Sequence, residues 1–297
     1  FRSSVFSIAA GAETAYIGNA AFKDCTSLEE ITVPGNYTTI YSDAFRGCRS
    51  LKKFVYNDNG ISRKIQNRAF YECTSLVSLS LPTSLNSIGD EAFSGCSSLT
   101  AVDIPEGVKL IEYGVFNNCK LLKKVVIPST IQRIGNSYNT GAFQNCTSLS
   151  TVTIKEGSQA ATIGSNTFSG CSAITSIVIP GNYSKVMDSA FKDCKGLKTL
   201  TYSPSINGIT HKIGSYAFEN CQSLAQVTLG TGLESIDTKA FYNDSMITEV
   251  NIPVGVKSIG QEAFSNCTRL SKLTLPEGLT VIKSGAFASC KSLKSVV

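Results

Sequence analysis

Eleven cysteines and a single histidine, His211, are the residues of this chain best equipped for chemistry. Thiols and an imidazole could form a nucleophile with its base, or could ligate zinc. The spacing argues against both. Every Cys stands three residues after a Phe, and the nearest two, Cys25 and Cys48, are 23 residues apart, whereas zinc ligands come in close pairs such as C-x-x-C. A nucleophile needs a base within hydrogen-bond reach and a third group to orient it, and one His cannot serve eleven thiols. No G-x-x-x-x-G-K-[ST], H-E-x-x-H or G-x-G-x-x-G occurs. Glu106, Glu156 and Glu277 fall where turns are expected and read as solvated. The expectation is therefore a non-catalytic chain with no metal and no cofactor.

What the cysteines mark instead is a period. Phe22, Phe45, Phe70, Phe93, Phe116, Phe143, Phe168, Phe191, Phe218, Phe241, Phe264 and Phe287 open the same phrase at intervals of 23, 25 or 27 residues. Counting from each Phe, position six is always Leu or Ile, and positions nine and eleven are apolar, as in Val102 and Ile104. That alternation predicts a short strand with one face inward. Pro follows directly in seven copies and ends the strand because it has no N–H to donate (Pro34, Pro82, Pro105, Pro128, Pro180, Pro253 and Pro276). The spacing of three from Phe to Cys and from Cys to Leu predicts a tight helical turn. Each phrase is one coil, too thin to enclose its own apolar residues. Stacking must supply the core, with Phe on Phe filling the widest part and Cys where backbones approach.

The phrase L-x-x-[VIL]-x-[VIL]-P...I-G-x-x-A-F-x-x-C, as in "LTAVDIPEGVKLIEYGVFNNC" from residue 99, resembles the BspA-like, or Treponema pallidum type, leucine-rich repeats. The resemblance implies a curved solenoid with one parallel sheet on its concave side. It also implies a surface-exposed or secreted bacterial or protist protein engaged in adhesion and partner binding. The expected architecture is a leucine-rich repeat solenoid with about 13 short concave strands and a convex side of turns and short 3-10 or helical turns. At ~4.8 Å per coil the sheet would run roughly 60 Å. One domain spans 1–297: twelve repeats and a partial N-terminal coil, in which Val5, Ile8 and Ala10 precede Leu28, Ile31 and Val33 by 23 residues. Leu293 and Val296 begin a last strand, and neither end reads as a polar cap, so a longer protein is expected. The first 16 residues lack the features of an export signal, and no apolar run approaches the ~20 residues that cross a bilayer.

Neighbouring cysteines one coil apart lie within reach of a disulfide, but a packed column needs no cross-link and eleven cannot all pair, so free buried thiols are expected. Asp244 takes the Cys position of one coil. A dry carboxylate is costly unless bonded or turned outward, which leaves two readings: a drifted repeat whose Asp accepts turn N–H groups, or a local anion or metal contact.

Partner binding must use the outside. Position ten of each phrase is mostly short (Thr32, Ser80, Thr153, Thr201), without the aromatic row that stacks sugars or single-stranded bases. Basic charge clusters locally: residues 43–68 carry a net +5, equal to the whole chain. Arg49, Lys52, Lys53, Arg63 and Lys64 there, with Lys123 and Lys124 in coil five and Lys192, Lys195 and Lys198 in coil eight, form a candidate edge for acidic partners. Four long repeats place their surplus in 56–64, 136–140, 157–162 and 203–212, where it must bulge outward. Tyr56, Tyr138 and Tyr202 in or beside these loops are candidate interface residues. N-x-[ST] sequons occur at Asn36, Asn145, Asn182, Asn243 and Asn266, of consequence only in a eukaryotic secretory pathway. The expected role is a cell-surface or secreted module that binds an extracellular or host protein, or an acidic polymer, with neither nucleic acid nor membrane insertion. The alternative is a structural spacer.

Overall fold

The computed structural model of the chain describes residues 5–137 and 140–297. Twenty-five short strands, all paired in parallel, wind into a solenoid in which each coil contributes two. Strands leading toward the Pro position, such as Lys124–Ile127, form a proline face; those ending on the repeat Ile, such as Leu85–Ile88, form an isoleucine face. The isoleucine face is one continuous sheet of 12 strands in sequence order. The proline face has 13 strands, as expected, but they break into hydrogen-bonded blocks of four, three, three and three. The breaks fall between Ser78–Ser80 and Ala101–Asp103, between Thr151–Ile154 and Ser176–Ile179, and between Gln226–Leu229 and Glu249–Asn251.

The core is the pair of predicted columns. All consecutive rings from Phe22 to Phe287 stack with centroids 5.0–5.4 Å apart and planes within 18° of parallel, the offset arrangement that the ring quadrupole favours. The Leu or Ile six residues on is fully buried in coils two to eleven, for example Leu51, Leu99, Ile174 and Leu270.

The turn between Phe and Cys is not helical. The Cys48 amide donates locally to the Phe45 carbonyl (3.1 Å), but the Phe45 and Gly47 amides donate to Ala69 and Tyr71 of the next coil (2.7 and 2.8 Å). Half the donors thus tie coils together instead of closing a helix. Positive φ at Asp43 (57°) and Gly47 (72°) breaks any right-handed run. At Gly47 a Cβ would stand 2.1 Å from Asp24 Oδ1, so any other residue there would push that carboxylate aside.

The first coil is present in a shifted register. Phe6, not Ile8, pairs with Ile31, an offset of 25, while Ile17 pairs with Ile40 at 23. The two extra residues lie between the strands Val5–Ser7 and Ala15–Ile17. At the other end Ser295–Val296 pairs with Lys272–Thr274 as expected.

Candidate interaction surfaces

The thiols are sealed. Nine of the eleven are buried; Cys290 is half-buried and Cys25, in the first coil, is exposed, and all are free. Each from Cys48 onward points its Sγ at the carbonyl of the preceding coil's Phe, at 3.0 Å for Cys48 to Phe22 and 3.3 Å for Cys267 to Phe241. Except at Phe241, whose own coil carries Asp244, that oxygen already accepts the Cys amide of its own coil, so the S–H occupies its second lone pair. Cysteine is thus a small apolar filler that also carries a weak donor. Burial pushes the Cys48 thiol up to about 12 and holds Cys73, Cys119 and Cys221 well above the ordinary range, which disfavours the thiolate that nucleophilic attack or metal ligation needs.

Asp244 points inward. It is fully buried between Cys221 and Cys267, and neither carboxylate oxygen has a hydrogen-bond partner. Burial raises its pKa well above the usual carboxylate range, with the Glu219 charge adding to the effect. The carboxyl is therefore a neutral acid, standing where the other coils place a thiol. It does not turn outward, and the influence of the Cys221 amide, which favours the charged form, is outweighed by burial.

The tyrosines and Arg63 require a correction. Tyr56 and Tyr202 are 2% and 1% exposed and Arg63 is fully buried, so none presents a surface to a partner. The reason lies in the repeat itself: both tyrosines occupy position eleven, an inward position, and Arg63 pairs across the isoleucine face with buried Leu85. Tyr56 donates to the Tyr37 carbonyl at 2.9 Å, and the Arg63 guanidinium sits 5.3 Å over its ring. Arg63 also holds Asp58 (3.0 Å) and the carbonyls of Ile61 and Gly35, anchoring the 57–62 loop from beneath. Burial pushes the Tyr56 hydroxyl up to about 12 against the opposing Arg63 charge. Hydrogen bonds from Ser84 and Thr83 hold Asp58 far below the usual range.

Six coils further on the same plug recurs with different chemistry. Tyr202 donates to the Tyr183 carbonyl, and the His211 ring stacks on Tyr202 at 4.5 Å and 6°. His211 Nε2 donates to the Gly181 carbonyl at 3.0 Å, leaving buried Nδ1 without a partner. Burial lowers the His211 pKa, so the ring is neutral. This, the only histidine, is a structural element. Tyr138 lies outside the described residues. Of the sequons, Asn182 is buried and donates to the Gln159 carbonyl at 2.9 Å.

The exposed cations divide into two kinds. In coil two, Arg49 pairs with Glu72 (3.3 Å), Lys52 with Glu29 (2.9 Å), and Lys53 stands in register with Glu30; Arg46 and Arg68 pair with Asp43 and Glu91. The excess of positive charge read from residues 43–68 is thus largely compensated in space by acids of neighbouring coils. Lys64 is exposed on the isoleucine face, away from the others. By contrast Lys120, Lys123, Lys124, Lys195 and Lys198 are exposed with no ion pair among the described residues. Lys192 bridges to Glu219 at 2.6 Å.

The BspA-type leucine-rich repeat region matches over residues 15–139, 122–212 and 206–297, nearly the whole chain. The chain belongs to that family. No protein with a curated description matches it. Among solved structures it is similar to a leucine-rich repeat protein from Bacteroides ovatus, at 25% identity over 98% of this chain and 86% of that one, TM-score 0.54. The T. pallidum leucine-rich repeat protein is 28% identical over 58% of this chain and 78% of its own, TM-score 0.52. The pneumococcal vaccine antigen PcpA, 23% identical over 99% of this chain and 77% of that one at TM-score 0.60, shares the fold.

On this BspA-type solenoid the concavities are shallow. A cleft of about 350 Å³ lies along the first break of the proline face, lined by Leu79, Leu81, Ala101 and Val102. A hollow on the other side gathers Asp90, Glu112 and Arg133, where Arg133 bridges to Glu112 at 2.8 Å. Among the described residues no three His, Cys, Asp or Glu converge as metal ligands, and no helix is long and apolar enough to cross a membrane.

Proposed function

We propose that this chain is a non-catalytic binding module of a cell-surface or secreted protein, and that it engages a macromolecule across the exposed faces of the solenoid. One observation carries the reading: the residues capable of chemistry are spent on the interior. Nine thiols, His211, Arg63 and Asp244 are buried, while the exposed surface is broad, shallow and built from short polar side chains and lysines. Such a surface suits an extended partner better than a small ligand. Membership of the BspA-type family supports surface exposure and adhesion.

The test uses the folded chain immobilised on beads, presented to cultured cells and to surfaces coated with extracellular matrix. Retention well above that of beads carrying an unrelated solenoid of similar charge is expected. Equal retention on every surface would instead leave the chain as a spacer.

A further inference from the structure

Five of the exposed lysines without ion pairs are grouped. Lys120, Lys123 and Lys124 belong to coil five and Lys195 and Lys198 to coil eight, at positions four, seven and eight after the repeat Phe. Arg49, Lys52 and Lys53 occupy the same positions in coil two. Cationic clusters therefore recur at coils two, five and eight along one edge of the proline face, about 14 Å apart at ~4.8 Å per coil, and Lys291 and Lys294 repeat positions four and seven in coil twelve. Each cluster leads into a strand flanked by paired neighbours on both sides, Lys53–Tyr56, Lys124–Ile127 and Thr199–Tyr202. The clusters thus stand at the entry to doubly paired strands, with the breaks of the sheet between them.

What separates the clusters is as informative. From Thr74 to Gln226, positions four, five, seven and eight of every coil carry no carboxylate and no aromatic ring. Apart from the five lysines they are Ser, Thr, Gln, Gly, Ala, Val or Leu, and none is buried. The stripe between coils three and nine is therefore a hydroxyl-lined track with two uncompensated positive stations. At coil two the same track meets Glu29, Glu30 and Glu72, which neutralise its third station.

We infer that this edge is a binding track for an extended anionic polysaccharide lying along the solenoid axis, its sulfate or carboxylate groups meeting the lysines of coils five and eight and its hydroxyls meeting the Ser and Thr side chains between. This rests on the reading of the chain as a macromolecule-binding module and names the partner class for it. Charge complementarity selects a polyanion. The missing rings argue against single-stranded nucleic acid, which needs faces to stack on. Between the stations the track offers mostly Ser and Thr hydroxyls, which complement the hydroxyls of a sugar chain better than the side chains of an acidic peptide.

The experiment measures binding of the full chain to heparin, to polygalacturonate, which carries carboxylates alone, and to neutral dextran, across a salt series. Three variant sets are compared: Lys120→Gln, Lys123→Gln and Lys124→Gln together; Lys195→Gln and Lys198→Gln together; and, on the isoleucine face, Lys185→Gln, Lys257→Gln and Lys283→Gln together. All these lysines are exposed, and unchanged melting temperatures will confirm that the variants fold. Expected are binding to one or both polyanions that weakens with salt, no binding to dextran, a loss of roughly tenfold for each of the first two sets, and a change under twofold for the third. The Arg49→Gln, Lys52→Gln and Lys53→Gln set is expected to fall between, because acids already compensate it. Heparin preferred over polygalacturonate would identify sulfate as the recognised group, and the reverse would identify carboxylate. Equal losses in all sets would overturn the track in favour of diffuse charge attraction. Tighter binding to single-stranded DNA or to polyglutamate than to either polysaccharide would overturn the partner class. If polysaccharide binding fails while bead retention on cells survives in the two cluster variants, this inference falls and the binding-module reading stands. If retention is absent as well, both fall.

Discussion

Asp244 offers the most quantitative test of how the columns work. The carboxyl is sealed between two thiols with no partner for either oxygen, so the folded coil accepts it only as the neutral acid. In the unfolded chain it titrates near its ordinary 3.8. A raised folded pKa means that folding takes up a proton between pH 3.8 and the folded pKa. The group's contribution is thus fully favourable below that value and is lost as pH rises toward the folded pKa. The loss is about 1.4 kcal/mol per pH unit, or about 2.7 kcal/mol between pH 5 and pH 7, if the acid stays protonated throughout. Asp244→Cys restores the column and removes the titration. Its S–H would reach the Phe218 carbonyl as its neighbours' thiols reach theirs. The assay is amide hydrogen exchange of coils nine to eleven in both proteins at pH 5 and pH 7, corrected for intrinsic rates. The native chain is expected to lose protection in those coils over this interval by about 2.7 kcal/mol more than the variant does. Parallel pH dependence in the two, or greater protection of the native chain at pH 7, would refute a buried neutral acid.

Two other predictions concern the same interior. Phe168→Ala removes a ring stacked at 5.4 and 5.1 Å on its two neighbours and is expected to cost about 3–5 kcal/mol. Exchange should quicken first in its own and adjacent coils, while uniform loosening across the chain would contradict nearest-neighbour stacking. His211 acts opposite to Asp244: its folded pKa is lowered by burial, so the stability it contributes is present above about 6.5 and lost as pH falls below. His211→Phe should therefore flatten the loss of protection of the 203–210 loop between pH 7 and pH 5, and an unchanged profile would show that the ring is not buried neutral.

The repeat made the columns legible because spacing alone fixed the phase of Phe, Cys and Leu. The isoleucine face was not legible, since strands of two to four residues such as Ser258–Ile259 are too short to show an alternation. The non-helical turn had a signal that periodicity hides. Position two after the Phe runs Asp24, Gly47, Glu72, Gly95, Asn118, Asn145 and onward, all with positive φ, and Asn, Asp and Gly are the residues that tolerate the left-handed region. Tyr56 and Tyr202 were misread by residue type: aromatic side chains beside insertions suggested an interface, whereas their position in the phrase already placed them inside. The compensation of the coil-two cations could not be read along the chain, because Glu29 and Glu72 reach them only once coils stack.

The account rests on an interior that is purely structural, leaving the outside to bind. Its most direct test is native alkylation with a small thiol reagent, followed by site-resolved mass spectrometry. Cys25 should label fast and half-buried Cys290 more slowly, while the nine inner thiols from Cys48 to Cys267 remain reduced and unlabelled until the chain unfolds. Rapid labelling of inner thiols under native conditions, or pairs of them recovered as disulfides, would contradict the sealed column and with it the division of labour between core and surface.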